Sequence, residues 1–429
     1  MTINYDLILH VLQLAFDFAW FDVLANCATV NRQFQQAASS FLYRRVILSP
    51  APQSQVDLRR RNQQLNGLFE SAQLSHNTGF VIEVEISGCL LSTSLPRNDF
   101  PQTLHSALRC WPNLISVVLT PRTAPKELLE LAIPSLNHHR LKKFVMDSAV
   151  FHGDVQTLSE LRQLETLTIL NPGRAVLQML PAWLQDLGLS LTSLLLMDSC
   201  GSITPGVLRS FIPHLTGIRT FAIGLSYSLT NDDIFSFLQQ LPHLDTLDVR
   251  YYVQLKTPTI HPYLPGLRSL TVRYSTSDAY LLISRQSGSR VEVHQLVKWI
   301  RQVSSGSPLV SIRLVNDKRF GVFSSANYDG LLDHLRLKHG CTLRSVRLEG
   351  ATVSKKALQS LCRQCGHLEE LTVSVRHGVI WDMPELSDVH TVLLTTPHVR
   401  SLQGHLSFSV TPTAIGNQQT SLGGLLEGR

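Results

Sequence analysis

The chain has 429 residues, of which 44% are hydrophobic and 16% are charged, and its formal net charge is +6. This balance excludes a disordered or fibrous chain, because enough apolar side chains are present to form a large core. The length exceeds that of one typical domain, which indicates either several domains or one elongated array of repeats.

Basic residues are scattered along the chain rather than collected in one long run. The densest cluster is Arg59, Arg60 and Arg61, beside Asp57 and a stretch rich in Gln and Asn. Such a mixture is typical of a solvated helix face. Nucleic-acid binding is therefore disfavoured and kept only as a second alternative.

Cysteine usage and hydropathy indicate the compartment. The chain has 7 Cys and no Asn-x-Ser/Thr sequon, which does not fit a secreted, disulfide-bonded protein. Its apolar N-terminus has no Lys or Arg before Arg32 and is unlike a signal peptide. No apolar run reaches the roughly eighteen residues of a membrane span. We therefore expect a cytoplasmic or nuclear protein without a membrane partner.

The first 48 residues predict three short helices. Ile3, Leu7, Val11 and Leu14 are spaced four, four and three residues apart, which places them on one stripe of the first helix, widened by Ile8, Leu12 and Ala15. Asp22 is a suitable cap for the second helix. Helices this short bury little apolar area, so we expect them to pack against the rest of the chain or a partner. The apolar residues of the next two helices are Leu24, Cys27, Ala28, Val30, Phe34 and Ala38.

An apolar pattern at relative positions one, four and six recurs ten times along most of the chain, mostly at intervals of 23 to 27 residues. Each copy predicts a buried strand, and the interval is typical of leucine-rich repeats. The copies are Leu114/Val117/Leu119, Leu141/Phe144/Met146, Leu164/Leu167/Ile169, Leu191/Leu194/Leu196, Ile218/Phe221/Ile223, Leu244/Leu247/Val249, Leu267/Leu270/Val272, Leu309/Ile312/Leu314, Leu343/Val346/Leu348 and Leu368/Leu371/Val373.

Amphipathic stretches between these strands predict helices. Thr230 is a suitable cap for a helix containing Ile234 and Phe237. Prolines such as Pro213 and Pro242 follow several helices and end them before the next strand. The other predicted helices are 125–136, 205–211, 291–303, 328–337 and 354–362, and longer helices or surface loops are expected near 284–289 and 315–327.

The predicted architecture is α/β. One strand–helix unit cannot bury its own apolar edge, whereas stacked units form a continuous core with a parallel sheet along one side. We therefore predict a three-helix module at 1–48, a linker helix at 49–79, an irregular leucine-rich-repeat solenoid at 80–405 and a disordered tail at 406–429. The parallel sheet is expected on the concave side. An ordinary leucine-rich α/β domain is the structural alternative.

The residues indicate no reaction chemistry. Cys362 and Cys365, with Cys341 and His367, have zinc-like local spacing, but no second matched pair completes a site. Small buried side chains in a repeat helix account for both cysteines. No nucleophile elbow, HExxH, Walker or dinucleotide-binding motif is present. We therefore expect no enzyme, no catalytic residue, no cofactor and no metal.

Residues 1–48 resemble an F-box, whose motif opens Leu-Pro-x-x-Leu-Leu and later reads Val-Cys-Arg-x-Trp or Phe. Ile3 matches the first leucine, residues 7–8 the paired leucines, and residues 30–34 the later motif. Asn4 stands in place of the usual Pro, and Asn31 in place of the usual Cys. Residues 80–405 resemble the irregular leucine-rich repeats of fungal F-box proteins.

The resemblance implies the substrate-recognition subunit of a cullin-RING ubiquitin ligase of the SCF type. The F-box would bind a Skp-family adaptor and, through it, a cullin, while the repeats hold an unidentified target protein. The alternative is a ligase-independent repeat scaffold with a degenerate F-box. The residues that the resemblance assigns to the adaptor are Ile3, Asn4, Leu7, Ile8, Leu24, Val30 and Phe34.

Overall fold

The computed structural model describes residues 5–17, 21–49, 67, 69–90, 100–124, 127–151, 155–252, 258–274, 288–316, 327–377 and 401–408. The chain divides into two units, Met1–Arg273 with Gln302–Pro308, and Tyr274–Arg301 with Leu309–Arg429. Both units are α/β, and parallel strands form the sheet of each.

In the first unit the strands follow one another across the sheet in chain order. Strands β1 to β8 each pair in parallel with the next strand, and β9 lies beside β8. Parallel neighbours require a crossover between them, which helices and short loops provide. The described strands are β1 Arg45–Leu48, β2 Glu83–Cys89, β3 Ser116–Thr123, β4 Lys143–Asp147, β5 Thr166–Leu170, β6 Ser193–Ser199, β7 Thr220–Leu225, β8 Thr246–Tyr251 and β9 Ser269–Tyr274.

Helices connect these strands, and their ends follow local sequence signals. Thr230 and Asp233 form a reciprocal capping box: the Thr230 hydroxyl accepts the Asp233 N–H at 3.2 Å, and the Asp233 carboxylate accepts the Thr230 N–H at 2.9 Å. The start predicted at Thr230 is thus confirmed. The helices of this unit are α1 Tyr5–Asp17, α2 Phe21–Ala28, α3 Arg32–Leu42, α4 Phe100–Cys110, α5 Glu127–Leu136, α6 Arg174–Leu187, α7 Pro205–Phe211 and α8 Asn231–Leu238.

Two buried tryptophans join neighbouring segments of the first unit. Trp111 donates its indole N–H to the Ala72 carbonyl at 3.0 Å, and Trp183 donates to the Leu161 carbonyl at 3.1 Å. Both indoles are fully buried, so each N–H needs an acceptor inside the protein. These bonds let large aromatic rings fill the core without leaving a buried donor unsatisfied.

The second unit repeats the same alternation. Its strands β10 to β13 pair in parallel, each with the next. Ser354 caps α11, because its hydroxyl accepts the Ala357 N–H at 3.2 Å. The elements are α9 Gly288–Ser304, whose last three residues fall in the first unit, β10 Ser311–Asn316, α10 Asp329–His339, β11 Ser345–Ser354, α11 Lys355–Gln364, β12 Glu370–His377 and β13 Ser401–Phe408.

The ten strands predicted from the apolar pattern are confirmed as β3 to β12. All thirty side chains of the pattern are buried, each at most 2% exposed. The five helices predicted at 125–136, 205–211, 291–303, 328–337 and 354–362 correspond to α5, α7, α9, α10 and α11, with ends shifted by up to three residues in the described part of the chain. Most of the predicted loops at 284–289 and 315–327 lie outside the described residues.

Three strands were not among the predicted copies. β2 follows the same pattern with Val81, Val84 and Ile86, all fully buried. β1 lies inside the predicted helical module and pairs with β2, so residues 45–48 join the sheet rather than the helices. β13 extends to Phe408, past the predicted start of the tail at 406. Residues 409–429 lie outside the described chain.

The predicted linker helix at 49–79 falls largely outside the described residues. Its described part includes helical residues at 67 and 69–71 and the start of a 3₁₀ turn, Thr78–Phe80. Asn77 fixes this segment, because its side-chain amide donates to the Ser71 carbonyl at 2.9 Å. The described linker residues are therefore helical up to residue 71 and form turns after it.

Candidate functional site

The three N-terminal helices enclose one small apolar core. Ile8 and Leu12 of α1 lie four residues apart and face the same side of that helix. Leu24 of α2 and Phe41 of α3 complete the core, together with two alanines of α3. All these side chains are buried. Residues from three different helices therefore hold the module together.

Asn31 defines the start of α3. Its side-chain Oδ1 accepts the Phe34 N–H at 3.0 Å, which satisfies one of the free amides at the helix N-terminus. A cysteine thiol is a much weaker acceptor than an amide oxygen. The departure from the F-box motif at residue 31 therefore has a local structural role.

Asp22 is placed differently from its prediction. It lies within the first turn of α2, which begins at Phe21, and is not the cap that precedes the helix. A carboxylate there still interacts favourably with the positive end of the helix dipole. The predicted start of the helix was about two residues too late, because sequence signals define the ends of a helix less precisely than its apolar face.

The predicted adaptor-binding residues differ in how far the structure buries them. Ile8 and Leu24 lie in the module core, and Phe34 is half-buried against it. Val30 is exposed at the end of α2. Leu7 belongs to α1. Ile3 and Asn4 lie outside the described residues.

A different set of aliphatic side chains covers the outside of the module. Val11 is 54% exposed, Leu14 48%, Val23 44% and Val30 64%. Val11 and Leu14 are three residues apart on α1 and are neighbours on its surface. Sequence reasoning placed Val11 and Leu14 on the same stripe as the core residues, although α1 turns them outward. We call these four residues the module surface.

The face of the first sheet that points away from the core carries five apolar side chains among polar ones: Thr168 of β5 lies between Val145 and Leu195, and Asp147 of β4 lies opposite Leu170. Val118 of β3 lies directly opposite Val145 of β4, and Leu170 of β5 lies opposite Met197 of β6. Leu195 of β6 shares this face, two residues before Met197. All five apolar side chains are partly exposed.

Hydroxyl groups lie along the amino-terminal side of this face. Thr166, Ser193 and Thr220 stand in register on adjacent strands; Ser193 lies two residues before Leu195 on β6, and Thr166 lies four residues before Leu170 on β5. Ser116 and Lys143 continue this row across β3 and β4. The face is therefore polar along its amino-terminal side.

Polar side chains are hydrogen-bonded together at the carboxyl ends of β4 to β6, beside Leu170 and Met197. Asn171 donates its side-chain amide to the Asp147 carboxylate at 3.2 Å and accepts the Ser199 N–H at 3.3 Å. Asn171 and Asp198 have positive φ of 47° and 62°, a conformation that short polar residues tolerate. The Asp198 backbone approaches Gly224 so closely that only glycine fits there.

Elsewhere the outward positions of the strands carry ion pairs. Each pair joins neighbouring strands, so the charges are neutralised within the sheet. Hydrogen bonds from Arg347 and Ser345 hold the pKa of the Glu370 carboxyl below its usual value. The pairs are Arg45 with Glu85 at 2.6 Å and Arg273 with Asp248 at 2.8 Å in the first unit, and Arg313 with Glu349 at 2.7 Å and Arg347 with Glu370 at 2.8 Å in the second.

The cysteines considered as zinc ligands are placed as core residues. Cys362 lies in α11 and Cys365 directly follows it, and both are buried. Burial raises the pKa of each thiol to about 11, which disfavours the thiolate that metals bind. Within the described residues no group of three or more His, Cys, Asp or Glu side chains is arranged to hold a metal ion.

Comparisons with known proteins supply no family. The chain matches no protein-family model, and a search of curated proteins finds no match. Within the described residues, every helix is too short or too polar to cross a bilayer.

Proposed function

We propose that the chain is a substrate-recognition subunit of a cullin-RING ubiquitin ligase. Helices α1 to α3 act as an F-box that binds a Skp-family adaptor. The following strands and helices form a leucine-rich-repeat solenoid that holds a target protein on the outward face of its sheet. The chain itself performs no chemistry.

The observation that carries the proposal is the position of the exposed aliphatic side chains. Of ten large hydrophobic residues that are exposed in the described chain, four lie between residues 11 and 30. The small core of the module is closed beneath them. Aliphatic residues concentrated outside a complete core are typical of a protein-binding surface.

The proposal changes which residues contact the adaptor. Ile8 and Leu24 are buried, so they support binding by keeping the helices in place. Direct contact is assigned to the module surface, of which Val30 also belongs to the resemblance. Phe34 is half-buried, so it lies between the buried core of the module and the exposed module surface. This division separates variants that unfold the module from variants that leave it folded but unable to bind.

Repeat geometry supports the solenoid. Each interval of the apolar pattern contributes one strand, and successive strands in each unit pair in parallel without skipping a neighbour. Repeats that contact mainly their neighbours are the defining property of solenoid proteins. The regular spacing of the apolar pattern and the pairing of strands in chain order therefore both fit a solenoid.

The short connection between the helical module and the sheet suits a mechanism in which the chain holds its target at a set place relative to the adaptor. Only Tyr43 and Arg44 separate α3 from β1, and the Tyr43 hydroxyl donates to the Ser71 hydroxyl at 3.2 Å. A module joined so closely to the sheet has little freedom to reorient. A target on the sheet is then held at a set distance from the adaptor, which raises its effective concentration near the ubiquitin-loaded enzyme.

Co-purification of the full chain with a recombinant Skp-family adaptor tests the proposal. Val30→Asp and Val11→Asp place charges on the module surface and are expected to abolish the complex while the chain remains folded. Leu74→Asp is the matched control, because Leu74 is similarly exposed outside the module and should leave binding intact. Equal binding by all three variants would contradict the proposal.

The rivals predict different results. A ligase-independent scaffold with a degenerate F-box predicts that the wild-type chain fails to bind the adaptor. A nucleic-acid-binding protein needs a continuous basic stripe and strongly salt-dependent binding. Neutralised arginines on the outward face, such as Arg273 with Asp248 and Arg313 with Glu349, disfavour that reading.

A further inference from the structure

Arginine takes the place of lysine over most of the chain. Of the 38 basic residues, 29 are Arg and 9 are Lys, and residues 1–125 and 144–255 contain no lysine at all. We call these two ranges the lysine-free segments. They contain 14 arginines, so they keep positive charge without a primary amine. The lysines of the chain are Lys126, Lys142, Lys143, Lys256, Lys298, Lys318, Lys338, Lys355 and Lys356.

The lysine-free segments include the helical module and the strands that follow it. They contain α1 to α3 and all of β1 to β8 except Lys143, the first residue of β4. Because each of these strands pairs with the next in chain order, distance from β1 increases by about 4.8 Å with each strand. Strands β1 to β8 therefore extend about 34 Å from the strand that joins the module.

The geometry of the guanidinium group does not account for this preference. Arginine is needed where its fork holds a carboxylate, as Arg45 holds Glu85. Five other arginines of the lysine-free segments are exposed and form no ion pair with any described residue. A lysine at such a surface position supplies the same charge at similar stability. These five exposed arginines are Arg32, Arg109, Arg162, Arg174 and Arg219.

Lysine and arginine differ in the chemistry of ubiquitin transfer. A lysine amine that has lost one proton attacks the thioester carbonyl carbon that joins ubiquitin to its carrier enzyme. An isopeptide bond forms, the carbon–sulfur bond breaks, and the enzyme cysteine leaves as a thiol that takes up the second amine proton. The guanidinium group of arginine stays protonated in proteins and does not act as this nucleophile. Arginine therefore supplies charge without a ubiquitin acceptor.

A chain that holds a ubiquitin-loaded enzyme near its target also holds that enzyme near itself. The same effective concentration acts on every amine within reach, so lysines close to the module would compete with those of the target. We infer that the lysine-free segments protect the chain from its own ubiquitylation. This inference rests on the proposed function and adds its regulation, because it directs ubiquitin to the bound target.

Two described lysines lie between the lysine-free segments. The Lys142 Nζ lies 2.8 Å from the Glu165 Oε1, so that amine is engaged in an ion pair. Lys143 is exposed on the outward face, in register with Ser116 and Thr166, and has no carboxylate partner among the described residues. The outward face is the surface to which the proposed function assigns the target. Lys143 is therefore the acceptor that we expect to remain in this region when no target is bound.

A reconstituted ligase without a target tests the inference. The full chain is incubated with a Skp-family adaptor, a cullin with its RING subunit, the activating and carrier enzymes, ATP and ubiquitin. The test variant combines Arg32→Lys, Arg109→Lys, Arg162→Lys, Arg174→Lys and Arg219→Lys, which preserves every charge. Its self-ubiquitylation is expected to be at least about fivefold faster than that of the wild type, because acceptors now lie within reach.

Mass spectrometry of the modified chains locates the ubiquitin. In the test variant it is expected on the introduced lysines, and in the slow wild-type reaction on Lys143. Equal rates in the two proteins, or introduced lysines that carry no ubiquitin, would overturn the inference.

The matched control changes the same five arginines to Gln, which adds no amine. Its rate is expected to equal that of the wild type. An equal gain in the Gln variant would assign the effect to the altered surface and overturn the inference. Thermal unfolding checks that each variant remains folded, as expected for substitutions at exposed positions.

Adaptor binding is measured in the same samples by co-purification. A wild-type chain that does not bind the adaptor refutes the proposed function, and the inference with it. A chain that binds the adaptor but gains nothing from the five lysines refutes the inference alone. The two failures are therefore distinguishable in one experiment.

Discussion

Arg273 on β9 holds Asp248 on the neighbouring strand β8 through a two-pronged ion pair. Its Nη2 lies 2.8 Å from Asp248 Oδ2, and its Nε lies 2.9 Å from Asp248 Oδ1. Both side chains are partly buried on the outward face of the sheet. The planar guanidinium thus ties two adjacent strands together at one point.

Removing this pair should destabilise the chain modestly. Asp248→Asn is expected to lower the free energy of unfolding by about 1 kcal/mol, because the pair is partly screened by solvent. Arg273→Lys should lower the free energy of unfolding by a similar amount, since an ammonium cannot make the two-pronged contact of a guanidinium. Urea denaturation measures both, and the double variant should cost less than the sum. Strict additivity would show that the two residues do not stabilise each other.

Core leucines of the repeating pattern should matter far more than exposed ones. Leu194→Ala removes a fully buried side chain at position four and is expected to cost about 2–5 kcal/mol, because it leaves a cavity. Leu189→Ala, five residues earlier, changes an exposed side chain and should cost less than about 0.5 kcal/mol. Similar losses in urea denaturation would contradict the burial of Leu194.

The cap of α3 predicts the effect of restoring the F-box motif at residue 31. Asn31→Cys is expected to destabilise the module by about 1 kcal/mol, because the thiol replaces the Oδ1 acceptor of the Phe34 N–H. Asn31→Asp keeps an acceptor and should retain the cap. Hydrogen exchange of the Phe34 amide measures the difference. Faster exchange in Asn31→Asp than in Asn31→Cys would refute this account.

His334 should make stability depend on pH in the mildly acidic range. Burial, assisted by His339, Arg301 and Lys338, lowers its pKa to about 4. The unfolded chain, with a His pKa of about 6.5, therefore binds the proton more readily than the folded chain. Stability contributed by neutral His334 is present above about pH 6.5 and is lost as the pH falls towards about 4.

The matched variant for this prediction is His334→Gln, which does not titrate. Urea denaturation at pH 7 and at pH 5 should show a smaller fall in stability for His334→Gln than for the wild type. The pKa of His139 is also lowered by burial, and this contribution remains in both proteins. Identical pH dependence in both proteins would contradict the assignment to His334.

Cysteine reactivity should follow burial. Cys110 and Cys341 are exposed and are expected to react with iodoacetamide in the native protein. Cys200, Cys362 and Cys365 are buried, and burial raises their pKa to about 12, about 11 and about 11, so they should react only after unfolding. Mass spectrometry of labelled peptides measures the pattern. Rapid native labelling of Cys362 would contradict its place in the core.

The apolar pattern predicted the strands well because a buried strand imposes a strict local spacing. Leu164, Leu167 and Ile169 had to be apolar whatever lay around them, since the core face of a parallel sheet excludes water. The copy at Val81, Val84 and Ile86 was missed although it has the same spacing. Helices α4 and α6 were not predicted.

The candidate site was harder to predict because helix periodicity does not say which part of a wide apolar face is covered. Ile8 and Val11 belong to the same N-terminal stripe in sequence, yet one is buried and the other exposed. Only the angle at which α2 and α3 pack against α1 decides between them. The adaptor-binding residues taken from the resemblance therefore mix core and surface positions.

The sequence alone determined the ten strands of the apolar pattern and the side chains that these strands bury, because the spacing of a buried strand depends on residues close together in the chain. Tertiary structure decided which outward residues meet across strands. Val118, Val145, Leu170 and Met197 come from four separate strands, and only the register decides that Thr168 and Asp147 lie among them. Register follows from long-range packing, and no short stretch of sequence contains it.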